Sequence, residues 1–124
     1  MKHNHLKMFA DKMGRGIKVT LWRDGQGNIL CFSLLGHAGY GQDGEDIVCS
    51  AVSALAIAAA NGLERFMKHP PHTENGDGYL KCEVKADSSL ELDQAQWILQ
   101  TMVMGLEAIQ HDYGKKYLKI EYRG

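Results

Sequence analysis

The sequence predicts an α+β domain in two layers: a four-stranded mixed sheet with two helices packed on one face, in the order ββαβαβ. Three observations predict it. Short stretches alternate apolar and polar residues at period two, the mark of strands with one buried face. Two longer segments repeat apolar residues at helical spacing. Strands with one polar face place both helices on the other side of the sheet. At 124 residues, the chain is the size of one domain.

Residues 1–15 are polar, with three Met, two His and no period. They read as a flexible N-terminal extension, and residues 16–124 as the single domain. Regular structure begins with IKVTLWR at 17–23, where Ile17, Val19 and Leu21 share one face. DGQGN at 24–28 is turn chemistry: Gly tolerates positive φ, and Asp and Asn bond their own backbone. ILCFSLLG at 29–36 is apolar on both faces, as a central strand would be. A glycine-rich loop then runs from Gly36 to about Glu45.

The first helix is DIVCSAVSALAIAAANGLERFMKH, with Asp46 as its N-cap and Glu45 suiting its positive end. Ile47 to Ala60 is almost all small and apolar, so this helix is buried on most sides. HPPHTENGDG ends it, because two prolines cannot continue a helix, and reads as a loop. YLKCEVKA is the third strand, with Leu80, Cys82, Val84 and Ala86 inward. The second helix spans about 92–113, on Ala95, Ile98, Leu99, Met102, Leu106, Ile109 and Tyr113. Gly114 fits the position just past its end. YLKIEYR is the last strand, with Leu118, Ile120 and Tyr122 inward.

Composition excludes some functions. The formal net charge is −1, from 14 basic and 15 acidic residues. That argues against a dedicated nucleic-acid binder. The three cysteines, Cys31, Cys49 and Cys82, are odd in number and widely spaced. They make neither a disulfide framework nor a structural zinc site. The N-terminus lacks the apolar core of a signal peptide. No apolar run reaches the length of a membrane span without polar interruption. The protein reads as cytoplasmic, with no membrane partner, no cofactor and no metal.

One arrangement looks like chemistry. His37 opens the glycine-rich loop, and Cys49 follows it in LLGHAGYGQDGEDIVCSAVSALA. With Asp46 as N-cap, Cys49 is the third helical residue, near backbone N–H groups that lack a helical partner. Those groups stabilise a thiolate, as does a nearby imidazolium, and can bind an oxyanion. His37 can reach the sulfur, which gives the layout of a cysteine nucleophile with a histidine partner. The bland alternative is a small core cysteine. Gly36, Gly39, Gly41 and Gly44 weigh against it, since four glycines in nine residues cost folding entropy that packing alone does not require.

These residues are familiar. Gly36-His37-Ala38, then Asp46-Ile47-Val48-Cys49-Ser50-Ala51-Val52-Ser53, resemble the two motifs of the ribosomal-processing cysteine protease (Prp) family. The resemblance runs from about Gly16 to Arg123. Ser50 departs mildly, where alanine is common. The resemblance implies a small homodimeric cysteine endopeptidase. Its reaction removes a short N-terminal extension from a bacterial large-subunit ribosomal protein, which would be the partner. It implies Cys49 as nucleophile, His37 as general base and later acid, and Asp46 and Ser53 as supports. The flexible loop closing over substrate would hold Gly36, Ala38, Gly39, Tyr40, Gly41 and Gly44.

For the supports, two readings stay open. Asp46 either holds the helix start or orients His37. Ser53, four residues after Cys49 on one face, either bonds the thiol or substrate, or bonds back to the Cys49 carbonyl. Tyr40 either touches substrate or is simply exposed. Cys31 and Cys82 read as core, and His69 and His72 as a solvated loop with too few neighbours for a metal. Trp97, Thr101, Met104 and Ala108 form a stripe that is either a homodimer face or part of a wide core stripe. Two other functions compete: a ribosome-associated peptide-binding module without catalysis, and another thiol-dependent hydrolase.

Overall fold

The computed structural model describes residues 16–36 and 43–124. The elements are β1 (Ile17–Arg23), β2 (Ile29–Leu35), α1 (Asp43–Phe66), β3 (His72–Gly76), β4 (Tyr79–Glu83), α2 (Ser89–Tyr113) and β5 (Leu118–Arg123). The sheet has five strands in the order β3-β4-β2-β1-β5. β1 pairs with β5 in parallel, and the other pairs are antiparallel. The α+β class, the mixed sheet and the two helices agree with expectation. The four-stranded count and the ββαβαβ order do not: the order is ββαββαβ. The missed strand is β3, HTENG, inside the segment read as a loop. Every residue of it is exposed, so it has no apolar alternation to read. Register against β4 defines it, with Glu74 opposite Lys81 and Thr73 opposite Cys82.

Register explains the core. Leu21, Phe32 and Cys82 are aligned across three strands, as are Val19, Leu34 and Leu80. Aligned residues project to one face. That face is closed by Val48, Val52, Ala56 and Leu63 of α1 and by Ala95, Leu99, Met102 and Leu106 of α2, all in one buried cluster. Ala59 and Gly62 of α1 and Gly105 of α2 keep the helices close: a Cβ at Gly105 would sit 2.7 Å from a Leu55 methyl. Ile47–Phe66, 20 residues, contains an 18-residue window of mean hydropathy 1.6, long and apolar enough to cross a membrane by length and composition alone. Ser50, Ser53 and Asn61 interrupt it, so the expectation that no uninterrupted apolar run reaches that length stands. In this fold its apolar side packs on the sheet and on α2.

Cys82 lies in that core, with 1% exposure. Cys31 is buried on the opposite face, in a cavity with Trp22 and Lys81. β2 carries a bulge beside them: Trp22 pairs with Cys31 and Arg23 with Ile29, which leaves Leu30 as the extra residue. The bulge restores Ile29 to the helix face, where it is 1% exposed, while Leu30 stays partly exposed. Gln96 of α2 covers the bulge. Its Oε1 accepts from the Ile29 N–H at 2.8 Å and its Nε2 donates to the Ile29 carbonyl at 2.9 Å.

α2 starts earlier than its apolar period suggests. Ser88 is the N-cap, and its Oγ accepts from the Glu91 N–H at 3.1 Å. Gly114 closes the helix at φ 101°, donating to the Gln110 carbonyl. Glu91 is 4% exposed and receives the chain leaving α1. It accepts from the His69 N–H at 2.6 Å, from the Asp87 N–H at 3.2 Å, and lies 2.8 Å from His69 Nδ1. Burial raises the Glu91 pKa, but these hydrogen bonds outweigh it and hold the carboxyl at about 2. His69 is therefore part of a half-buried latch rather than a solvated loop. Asp87 Oδ2 lies 3.4 Å from its Nε2. His69, Asp87 and Glu91 thus bring three possible metal-ligand atoms within 4.8 Å of one another, neighbours that local sequence around His69 does not reveal.

Candidate active site

Cys49 is half-buried on α1. Helical spacing puts Ser53 and Ile57 on the same side, four and eight residues on. Cys49, Ser53 and Ile57 line one cavity of about 420 Å³. Its second side is the end of β2, Leu34 and Gly36. Its third is the β3–β4 hairpin, from Asn75 to Leu80. The site is thus built by three segments far apart in sequence.

Gly36 matters to how they meet. It is the last described residue before the loop, it is buried, and its φ of 99° suits glycine. Its N–H donates to the Gly78 carbonyl at 2.9 Å. Gly78, at φ 70°, forms with Asp77 the two-residue hairpin turn between the Gly76–Tyr79 pair. The hairpin turn therefore fixes the point from which the chain departs toward His37.

His37, Ala38, Gly39, Tyr40 and Gly41 lie outside the described residues, as do residues 1–15. Gly44 and Asp46 fall inside α1. The N-cap at Asp46 is corrected: α1 begins at Asp43, and Asp43, Glu45 and Asp46 all occupy its first turn, where acidic residues are favoured. Cys49 is then the seventh helical residue rather than the third. The partnerless N–H groups of a helix are its first four, here those of 43–46. The Cys49 N–H is not one of them, so the oxyanion donor expected there moves one turn away. Helical side chains tilt toward the N-terminus, which keeps the sulfur directed to that end. Cys49 remains a free thiol, as do Cys31 and Cys82. Burial pushes the other two thiols up, Cys82 to about 11.

Sequence reasoning missed the hairpin wall. Asn75, Gly76, Asp77, Gly78 and Tyr79 all line the cavity. The Asp77-Gly78 dipeptide was the available signal, since such pairs mark tight hairpins. The two prolines just before it favoured a loop.

Comparison with known proteins identifies the family. The family model for cysteine protease Prp matches residues 16–119. The ribosomal processing cysteine protease Prp of Bacillus subtilis is 32% identical over 100 residues, covering 78% of this chain and 89% of the relative. Its Staphylococcus aureus namesake is 28% identical over 110 residues, covering 86% and 99%. The crystal structure of the S. aureus protein with a substrate peptide superposes with a TM-score of 0.74 at 27% identity, covering 86% of this chain and 99% of that one. With the family match spanning every described element but the last residues of β5, the chain is a cysteine protease and belongs to the Prp family.

Proposed function

We propose that this chain is an endopeptidase that removes the short N-terminal extension of a bacterial large-subunit ribosomal protein. Cys49 is the nucleophile and His37 the general base and later acid. One observation carries the pairing: Gly36 and Cys49 line the same cavity, and His37 begins one residue, about 3.8 Å of chain, beyond Gly36. The names of the B. subtilis and S. aureus relatives supply the ribosomal substrate.

In the reaction, His37 takes the Cys49 proton, and the thiolate attacks the scissile carbonyl. The C–N bond breaks as His37 returns the proton to the leaving amine. Water, deprotonated by His37, then hydrolyses the thioester and frees Cys49. Ser53, one turn along α1, holds the substrate or the thiol, and Asp46 supports the helix start or His37. The segment 37–42 closes over the peptide. The working unit is the domain 16–124, in the cytoplasm. It is a homodimer through the stripe of α2 on which Trp97 and Met104 are each 70% exposed, next to Phe66 at 71%. Sedimentation of the purified protein as a monomer would remove that last element.

Mass spectrometry of an extended large-subunit ribosomal protein incubated with the enzyme tests the reading. Wild type releases the N-terminal peptide, Cys49→Ala releases none while folding normally, and His37→Ala slows release by about 10²–10⁴. Full activity in either variant refutes the assignment.

A further inference from the structure

The cavity extends well beyond Cys49. Along α1 it reaches Ile57, eight residues on, or about 12 Å at 1.5 Å per residue. Ile57 is 52% exposed although it lines the cavity, whereas Val48, Val52, Ala56 and Leu63 of the same helix lie in the core. Across from it stands Asn75. Register places Asn75 opposite Leu80, and Leu80 opposite Leu34, so Asn75 projects from the sheet on the side where α1 lies. It sits on the edge strand, so the groove between α1 and β3 is open at that side. One wall is apolar, at Ala56 and Ile57 of α1; the facing sheet wall carries Leu80 with Asn75 beside it.

We propose that Ile57 is a specificity-determining residue of the protease. With Leu80 across the groove it forms a subsite for an apolar side chain, and Asn75, beside Leu80, binds the peptide main chain. The subsite takes a substrate residue three to four positions from the scissile bond, because an extended peptide advances about 3.3 Å per residue and the groove covers about 12 Å. An amide suits the Asn75 role because it offers both a donor and an acceptor, as a peptide group does. This proposal rests on Cys49 being the nucleophile.

The test uses internally quenched peptides cut at one mapped bond. Positions two to five residues from the bond, on each side, are varied among Leu, Phe, Ala and Asp. Wild type is expected to prefer Leu or Phe over Asp at a position three or four residues away. Ile57→Glu should weaken that preference by about tenfold or more in kcat/KM. Peptides truncated short of that position should be cut equally by wild type and Ile57→Glu. Asn75→Ala should raise KM for full-length peptides with kcat retained. Equal melting temperatures show that the variants fold, as expected at two exposed positions. Wild type cutting without a preference at that distance, or Ile57→Glu slowing long and truncated peptides alike, overturns the subsite. Failure of wild type to cut any peptide instead removes the protease assignment beneath it, and the subsite with it.

Discussion

Gln96→Leu should destabilise the protein by roughly 2–4 kcal/mol while leaving the chemistry at Cys49 alone. The side chain of Gln96 is buried and makes three hydrogen bonds: two to the N–H and the carbonyl of Ile29, at 2.8 and 2.9 Å, and one accepted from Gln100 Nε2 at 3.3 Å, whose donor sits nearer solvent. Ile29 is 1% exposed. Leucine keeps much of the volume and the helix propensity, so the change isolates the polar contacts. Two buried backbone groups lose their partners, each costing about 1–3 kcal/mol. Gln96 lies close enough to the surface for water to compensate in part, which favours the lower half of the summed range. At about 4 °C per kcal/mol for a chain of this size, the melting temperature should fall by roughly 8–16 °C. The Ile29 amide should lose protection in hydrogen exchange, since it lies at the bulge that Gln96 covers. Cleavage at low temperature should be unchanged, because Ile29 and Gly36 are at opposite ends of β2, about 24 Å apart at 3.4 Å per residue. A melting temperature within about 2 °C of wild type, with Ile29 still protected, would show that the bulge needs no partner and refute the reasoning.

Two further outcomes are expected. Iodoacetamide should label Cys49 before Cys31 and Cys82, because both of those are buried and burial raises their thiols, Cys82 to about 11; peptide mapping reads the order, and equal, slow labelling of all three would favour a packed cysteine in a binding module. Glu91, held at about 2 against an ordinary 4.5, contributes stability that is complete above about pH 4.5 and is lost as the pH falls toward 2; urea midpoints across that window should fall steeply in wild type and less in Glu91→Gln, and parallel slopes would contradict the latch.

Patterns that are local and periodic were legible. Ile17, Val19 and Leu21 alternate because one sheet face is buried, and Gly114 marks a helix end because it adopts a positive φ. Cys49 and Ser53 share a helix face at a spacing of four, and both reach the cavity. Features made by partners distant in the chain were not legible. Gln96 reads as a surface residue until Ile29 is placed 67 residues away against it. His69 reads as loop until Glu91 arrives. Ser88 and Glu91 did carry a local capping signal, S-x-x-E, which the apolar period of α2 overshadowed. The start of α1 was obscured because Asp43 and Asp46 are both acceptable near a helix N-terminus, and a glycine between them argued for loop.

β3 was the costliest of these misses, and its composition follows from its place. A strand that contributes to a core needs apolar residues on at least one face; HTENG has none. Among the described residues it is the edge strand of the sheet, and polar residues there keep an edge from pairing with other chains. Were the sheet to end at β4, the side of α1 carrying Cys49, Ser53 and Ile57 would face an open sheet edge with Leu34, Tyr79 and Leu80 opposite. β3 and its turn extend that wall with Asn75, Gly76, Asp77 and Gly78. Its turn also holds Gly36 through the Gly78 carbonyl, and so ties the wall to the residue that precedes His37. A strand with this task is selected for what it presents to a peptide and to the loop, and hydrophobic periodicity does not report that.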